Sequence, residues 1–329
     1  MENNRAILLI NTGSPENLTT NAVRRYLNDF LTDRRIMNIP SAIRVPLVKG
    51  IIAPLRAKKS RNKYALIWQE GGSPLQLYTE SLARKITMVG GIPTFSAMRY
   101  SRGSLAKAYQ AIAETGTIEE VVLVPLFPHY AMSSYESAVA FAVDMHNALE
   151  PRFTLRCVAP YYNQSEYISV LVEQILNTVS FGDHLVFSYH GIPIKQTMPY
   201  AGDKSKDYPW QCEVTAQLVM SDPRLQKLSL TSEIVYQSRF GNGKWLSPTL
   251  EDRLARLPDE GKKKVAVLCP SFVCDCLETL WEIKVHASGL FKGEYLKLIP
   301  CPNDSTAMAN AILRQVERHT TEAEYWTKP

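Results

Sequence analysis

Eight short apolar runs, rich in β-branched residues, alternate with longer segments of helical period along this chain. They are AILLI at 6–10, TFSAM at 94–98, VVLVPLF at 121–127, FTLRCVA at 153–159, HLVFSY at 184–189, EIVYQS at 233–238, VAVLCPSF at 265–272 and YLKLI at 295–299. Continuous apolar strands separated by helices indicate parallel sheets that are covered on both faces. The sequence therefore predicts an α/β, doubly wound architecture.

The first four strands and the last four resemble each other in order and in the turns that follow them. ILLINTGSP corresponds to LVFSYHGIP, FSAMRYS to VYQSRFG, and VVLVPLFPHYAMSSYESA to VAVLCPSFVCDCLETL. This repetition predicts two similar Rossmann-like halves, 1–163 and 164–329. Ligands of such sheets bind beyond the carboxyl ends of the strands. A cleft between facing halves would bring together the polar residues at those ends: His190, Arg99, Gln237 and Arg239.

Composition argues against several classes of protein. A net charge of +5 in 329 residues is too small to indicate a nucleic-acid partner, and no base-reading motif is present. No apolar run approaches the length of a membrane span, and no signal peptide is recognisable. Six scattered cysteines favour a reducing, cytoplasmic setting, and the isolated C-x-C of Cys274 and Cys276 is more typical of buried thiols than of a zinc site. The glycine fingerprints of nucleotide and nicotinamide enzymes are missing.

Two polar features at the strand ends each have two interpretations. His190 follows the strand at 184–189 and precedes glycine and proline. It is either a functional imidazole at the strand end or a core histidine whose hydrogen bonds are satisfied. Glu278 and Glu282 lie four residues apart on one predicted helical face, with Asp275 one turn earlier. Carboxylates at this spacing repel each other, so the alternatives are a solvated surface or a cleft that takes a cation or protons.

The segment 45–63 passes from apolar to strongly basic residues. Its cations follow directly on GIIAPL: Arg56, Lys58, Lys59, Arg61 and Lys63. It is interpreted as a lip over a flat apolar ligand with acidic groups, as a contact with an anionic membrane, or as a solvated helix. GGSPL at 71–75 adds backbone amides and Ser73 close by in sequence.

Seven motifs in order, LINTGSP, FLTDRRIM, EGGSPL, PLFPHYAMSS, SYHGIP, YQSRFGNGKWLSP and DCLETLWEI, resemble those of the ferrochelatases, enzymes that insert ferrous iron into a porphyrin to make haem. The resemblance covers nearly the whole chain and implies two Rossmann-like halves that enclose a porphyrin cleft. The wording looks closest to Gram-negative enzymes, which favours protoporphyrin IX over coproporphyrin III. A non-catalytic porphyrin or haem carrier and a chelatase for another tetrapyrrole are the alternatives.

The resemblance also implies roles for individual residues. His190 matches the family's cleft histidine and Glu278 the facing glutamate, both as catalytic and metal-binding groups, and which of them takes the protons stays open. Asp275 and Glu282 fall on an acidic path for protons or metal. The positions that match porphyrin contacts are Thr12, Arg56, Lys59, Ser73, Arg99, Tyr100, Phe127 and Trp245.

Departures from the family pattern shape the expectations about cofactors. Phe127 stands where many relatives have tyrosine, His129 where many have glutamine, and Cys276 where animal enzymes have histidine. Met132 replaces a cluster cysteine of animal relatives, and the tail HTTEAEYWTKP lacks their terminal cysteines. We therefore expect no [2Fe–2S] cluster and no permanently bound cofactor, with Fe²⁺ as a substrate. We also expect a monomer, peripheral membrane contact through 45–63, and transfer of porphyrin from the preceding pathway enzyme.

Overall fold

The computed structural model describes residues 4–239, 241 and 243–327; Phe240 and Asn242 of the YQSRFGNGKWLSP motif lie outside them. Within these residues the strands are β1 Arg5–Asn11, β2 Thr94–Met98, β3 Glu120–Pro125, β4 Thr154–Val158, β5 His184–His190, β6 Thr231–Gln237, β7 Lys264–Leu268, β8 Tyr295–Leu298 and β9 Thr320–Glu322. All eight predicted strands are confirmed. β9 escaped prediction because it is three polar residues long.

Helices occupy most of the intervening segments. The α-helices are Thr20–Leu31, Ser41–Leu47, Ala53–Ala65, Pro74–Gly90, Ser104–Glu114, Ser137–Leu149, Ser165–Leu176, Ile194–Thr197, Tyr208–Met220, Pro223–Gln226, Leu250–Arg256, Ser288–Leu290 and Thr306–Arg318. π-Helical segments are Val48–Ile52, Met132–Glu136 and Leu277–Ala287, and 3₁₀ turns are Met198–Tyr200 and Ala323–Thr327. Among the described residues, none of the helices combines the length and apolarity that a membrane span requires.

Two sheets with the same strand order form the framework. The first has the order β2-β1-β3-β4-β9, parallel except for the antiparallel pairing of β9 with β4. The second has the order β6-β5-β7-β8 and is parallel throughout. In each sheet the first strand in sequence lies between the second and the third, so the order reverses there. The repeat inferred from the sequence is therefore confirmed at the level of topology.

Burial explains why these runs became central strands. Ala6 to Ile10 of β1 are completely buried, and the second sheet is buried in the same way through β5. Helices that cover both faces remove these side chains from water, which stabilises the sheet by about 25 cal/mol for each Å² of apolar area buried.

The described residues form two compact units. The first comprises the residues up to Leu126, Met132–Ala159 and those from Ile312 onward, and the second comprises Phe127–Ala131 and Pro160–Ala311. The sequence-based halves, divided between 163 and 164, did not anticipate that the C-terminal residues join the first unit. β9 accounts for this assignment, since it pairs with β4 of the first sheet. The porphyrin cleft implied by the resemblance stays a prediction.

Candidate active site

His190 is the last residue of β5, at the carboxyl end of the second sheet. Residues 184–189 are buried, whereas His190 itself is half-buried. Its backbone N–H donates to Ser271 Oγ at 3.3 Å, and the Tyr208 hydroxyl donates to its carbonyl oxygen at 3.0 Å. The imidazole is thus attached to a rigid strand end, at the edge where doubly wound sheets bind ligands.

The hydrogen bond of the imidazole defines its tautomer. Nδ1 of His190 lies 2.8 Å from the carbonyl oxygen of Gly191, an atom that can only accept. Nδ1 therefore carries the proton, and in the neutral ring the lone pair is on Nε2. That lone pair can accept a proton or bind a borderline metal ion such as Fe²⁺, but it cannot do both at once.

Gly191 is required by the close approach of the next strand. Its N–H donates to the Gln237 carbonyl oxygen at 2.8 Å, and a Cβ at position 191 would also lie 2.8 Å from that oxygen. The same Cβ would lie 3.7 Å from Cε3 of Trp245. Trp245 faces Pro193 in a short antiparallel bridge. The predicted pocket residue Trp245 therefore lies beside the His190 turn.

Gln237 connects the strand of His190 with the segment that carries Glu278. It is the register partner of His190 on β6 and is 1% exposed. Its Oε1 accepts from Ser188 Oγ at 2.6 Å, and its Nε2 donates to the Glu278 carbonyl oxygen at 2.8 Å. One buried amide thus connects β5, the strand that ends in His190, with the backbone of Glu278 at the same edge of the second sheet. The sequence placed Gln237 at this edge without predicting the connection.

Glu278 and Glu282 lie on a π-helix, Leu277–Ala287, instead of the α-helix that the spacing suggested. A π-turn closes i to i+5 hydrogen bonds, so side chains four and five residues apart share a face. Trp281 and His286 demonstrate this, because their rings stack at 5.1 Å with 7° between the planes. Glu282 accepts hydrogen bonds from Ser238 Oγ and, at 3.4 Å, from Gln237 Nε2.

Asp275 precedes the π-helix and is 4% exposed. Thr279 Oγ1 donates to its Oδ1 at 2.8 Å, and Asn303 Nδ2 donates to its Oδ2 at 2.8 Å. Both carboxylate oxygens therefore have partners within the protein. Neither Asn303 nor this arrangement was foreseen from the sequence, since Asn303 lies 28 residues further along the chain.

The predicted porphyrin contacts Arg99 and Tyr100 belong to a polar network in the first unit. Arg99 Nη2 and the Tyr100 hydroxyl donate to Asp33 Oδ2 at 2.9 and 2.8 Å, and Ser137 Oγ donates to the same oxygen at 2.5 Å. Burial alone would raise the pKa of Asp33, but the hydrogen bonds from Ser137 and Arg35 and the charge of Arg99 lower it overall. For Tyr100, burial first and then the Asp33 charge raise the pKa. Asp33 lies in the FLTDRRIM motif, which was the available signal.

The other first-unit candidates have different surroundings. Thr12 follows β1, and its carbonyl accepts from the Tyr100 N–H at 2.9 Å. Ser73 is 2% exposed, caps the helix Pro74–Gly90 and hydrogen-bonds Ser14 Oγ at 2.5 Å. Arg56 and Lys59 lie exposed on the helix Ala53–Ala65. The first-unit candidates near strand ends are thus Thr12, Arg99 and Tyr100.

Phe127 and His129 belong to the second unit and are buried. His129 Nε2 lies 2.9 Å from Thr215 Oγ1. The Thr215 hydroxyl donates its hydrogen bond to the Tyr162 carbonyl oxygen at 2.8 Å. Nε2 therefore donates, and complete burial lowers the pKa of His129 to about 3. Its ring packs edge-on against that of Tyr189, with 5.3 Å between centroids. Tyr189 is the residue that precedes His190.

All six cysteines are buried and none forms a disulfide, which confirms the interpretation of Cys274 and Cys276 as buried thiols. Burial raises the pKa of Cys269, Cys276 and Cys301 well above the usual range, and the charge of Glu278 adds to the rise for Cys276. Thiols of this kind stay protonated near neutral pH and are poor metal ligands. Within residues 4–239, 241 and 243–327, no group of three or more His, Cys, Asp or Glu side chains is arranged to hold a metal ion.

Comparison with known proteins gives a consistent result. The family model for ferrochelatase matches residues 4–320. A ferrochelatase from Porphyromonas gingivalis is 38% identical, with 94% of this chain and 95% of that protein covered. A ferrochelatase from Xanthomonas axonopodis pv. citri is 36% identical, with 95% and 98% covered.

A solved structure, SirB from Bacillus subtilis with Fe³⁺, resembles this chain in fold. The TM-score is 0.53 at 12% sequence identity, over 95% of this chain and 94% of that chain. At this identity the similarity concerns the architecture alone. It agrees with the parallel-dominated sheets described above.

Proposed function

The chain belongs to the ferrochelatase family, and we propose that it carries out the reaction of that family, the insertion of Fe²⁺ into protoporphyrin IX with release of two protons. It is therefore an enzyme, a metal chelatase of the lyase class. One observation carries the location of the chemistry. The Gln237 amide links the strand that ends in His190 to the carbonyl of Glu278, at the edge of a doubly wound sheet.

The reaction makes two physical demands on a protein. Two pyrrole protons must leave a weakly acidic macrocycle, and Fe²⁺ must lose its water ligands. A planar porphyrin keeps its nitrogen lone pairs in the ring plane, so a distorted ring is easier to metallate. Strain of roughly 1–5 kcal/mol can be offset by contacts to the propionates and ring faces.

We assign proton removal to His190 because its Nδ1 already donates to the Gly191 carbonyl. Its Nε2 is then the basic nitrogen, which can accept a proton from a pyrrole N–H as a general base. Glu278 is proposed as the oxygen ligand that receives Fe²⁺. Glu282, four residues further along the same π-helix, is proposed as the next carboxylate on the path.

Porphyrin recognition is assigned to the residues that match family contacts. Cationic Arg56 and Lys59, with Ser73, are proposed partners for the propionates, since guanidinium and ammonium groups pair with carboxylates. The proposed contacts to the ring are Thr12, Arg99, Tyr100, Phe127 and Trp245. The placement of Trp245 beside Gly191 supports its role, because Gly191 directly follows the proposed base in the chain.

Two substitutions test the assignment of the chemistry. His190→Ala should abolish metallation while porphyrin binding, followed by fluorescence quenching, is retained. Glu278→Gln should lower kcat by about 100-fold or more with the fold unchanged, since the remaining amide is a weak metal ligand. His319→Ala is the matched control for removal of a histidine. Unchanged turnover in either site variant would remove that residue from the mechanism.

Absorbance during anaerobic incubation with Fe²⁺ and free-base porphyrin separates this enzyme from a carrier. A carrier would leave the free-base spectrum intact, whereas the enzyme converts it to that of the metalloporphyrin. A panel of protoporphyrin IX and coproporphyrin III with Fe²⁺, Zn²⁺ and Co²⁺ identifies the substrate. We expect protoporphyrin to be preferred and Zn²⁺ to be accepted, because a site of nitrogen and oxygen ligands does not exclude other divalent ions.

We also propose peripheral membrane contact through 45–63. Ile51 and Leu55 are 54% and 76% exposed there, next to the exposed cations Arg56, Lys58 and Lys59. Exposed apolar side chains beside cations suit the surface of an anionic bilayer. Replacing the three cations by alanine should abolish flotation with vesicles that contain phosphatidylserine.

A matched control places the same loss of charge elsewhere. Lys262→Ala, Lys263→Ala and Lys264→Ala together remove three cations just before and at the start of β7, and this variant should leave flotation unchanged. Full retention of the triple variant on anionic vesicles would contradict the membrane proposal. We further propose that the protein receives porphyrin from the preceding enzyme, is a monomer and functions without a [2Fe–2S] cluster. Iron and sulfide analysis of the purified protein tests for the cluster.

A further inference from the structure

Asn303 lies beside the segment that leads into the π-helix. Its backbone is left-handed, with a φ of 50°, a conformation that asparagine adopts more readily than most residues. Its N–H donates to the Val273 carbonyl oxygen at 2.8 Å. Asn303 is therefore anchored by its own backbone to the turn that follows β7.

The Asn303 carboxamide and Asp275 form a closed ring of two hydrogen bonds. The Asp275 N–H donates to Asn303 Oδ1 at 2.8 Å, and Asn303 Nδ2 donates to Asp275 Oδ2 at 2.8 Å. The other carboxylate oxygen accepts from Thr279 Oγ1 at 2.8 Å. This donor and acceptor pattern fixes both the backbone and the side chain of Asp275.

These bonds determine where the π-helix begins. Thr279 is in its first turn, completely buried, and also accepts from the Cys276 N–H at 3.0 Å. Glu278 lies between Cys276 and Thr279, and Gln237 holds its carbonyl from the side of the sheet. The Glu278 backbone is thus held by β6 on one side and by the Asn303 arrangement on the other.

We propose that Asn303 is a positioning residue for metal insertion. Through Asp275 it sets the first turn of the π-helix and with it the place of the Glu278 carboxylate. The inference rests on the proposed function, because that function gives Glu278 its role. In this arrangement the Asp275 carboxylate is a structural acceptor, which contrasts with the path role that the family resemblance implied for it.

Three variants separate the two roles. Asn303→Gly keeps the left-handed backbone and removes the carboxamide. Asn303→Asp sets a second carboxylate against Asp275. The exchange Asp275→Asn with Asn303→Asp keeps all three hydrogen bonds, because the amide nitrogen introduced at position 275 then donates to the carboxylate at position 303, while the amide oxygen still accepts from Thr279.

The measurement is kcat and KM for Zn²⁺ insertion, with thermal unfolding of each variant. We expect kcat to fall about tenfold in Asn303→Gly and further in Asn303→Asp, with the porphyrin KM within about twofold of wild type. The exchange should recover kcat to within about threefold. Ser229→Gly is the matched control, since Ser229 is exposed and has the same φ of 50°.

Two results would overturn the inference. One is a folded Asn303→Gly variant with the kcat of wild type. The other is a folded exchange variant as inactive as Asn303→Asp, which would mean that the Asp275 carboxylate itself carries protons or metal. A wild-type protein that inserts no metal would instead refute the proposed function, so the two failures are distinguishable.

Discussion

Gly191→Ala tests whether the absence of a side chain at position 191 matters more for catalysis than for stability. The new Cβ would lie 2.8 Å from the Gln237 carbonyl oxygen, whereas Cβ atoms essentially never approach below 3.0 Å and ordinary contacts begin at 3.4 Å. The φ of Gly191 lies outside the left-handed region, so this contact is the only obstacle to alanine. Relief requires the backbone at 191, or β6, to move by about 0.2 to 0.6 Å.

This displacement reaches the imidazole directly, because His190 Nδ1 donates to the Gly191 carbonyl. A misplacement of 1 Å at a catalytic group can cost about 100-fold in rate, so about half that distance should lower kcat by about tenfold. Overpacking of this kind destabilises by about 1–3 kcal/mol, which the fold can tolerate. We therefore expect a folded but slow enzyme.

The assay is steady-state Zn²⁺ insertion followed by metalloporphyrin fluorescence, with thermal unfolding measured in parallel. Gly289→Ala is the matched control, because a Cβ there meets no atom within 4 Å. The control should retain both kcat and stability. A Gly191→Ala enzyme with wild-type kcat would refute the reasoning, since it would show that the His190 geometry tolerates the shift.

Three further outcomes are expected. His129 is buried with a pKa of about 3, so below the reference pKa of about 6.5 the unfolded chain binds a proton that the folded chain does not. Between pH 7.5 and pH 5, the free energy of unfolding measured in urea should therefore fall by about 2 kcal/mol less in His129→Gln than in the wild type. Equal losses in the two proteins would contradict burial of a neutral ring. Asp33→Asn should destabilise by about 2 kcal/mol in guanidinium because Arg99 loses a buried partner, against less than about 1 kcal/mol for Asp29→Asn at the exposed Arg102 pair. Gln237→Glu places a carboxylate oxygen against the Glu278 carbonyl oxygen in place of the N–H donor, and should lower kcat by about tenfold or more. Gln226→Glu on the surface serves as control.

The fold was largely readable from local patterns. Each apolar run from AILLI to YLKLI became a strand, because burial on both faces demands uninterrupted apolar residues. β9 was missed since its side chains carry no such pattern, and its pairing with β4 joins residues far apart in sequence. The π-helix was missed because carboxylates four residues apart look the same for either kind of helix.

The candidate site was readable only in part. His190 and Glu278 stood out because histidine and glutamate are chemically active residues at predicted strand ends. Gln237 was placed at the same edge, but its bond to the Glu278 carbonyl depends on strand register. Asn303 carried no signal, since a polar residue in a loop has many possible partners.

The amino-acid sequence on its own determined the alternation of strands and helices, the repeated order of four strands, and the family to which the chain belongs, since hydrophobic period and motif wording are local properties. Only the tertiary structure decided which His190 nitrogen carries the proton, which amide holds Glu278, and why position 191 has no side chain. Those features depend on distances of about 3 Å between residues far apart in the chain. Hydrogen bonds at that range follow from register and packing, which no local pattern encodes.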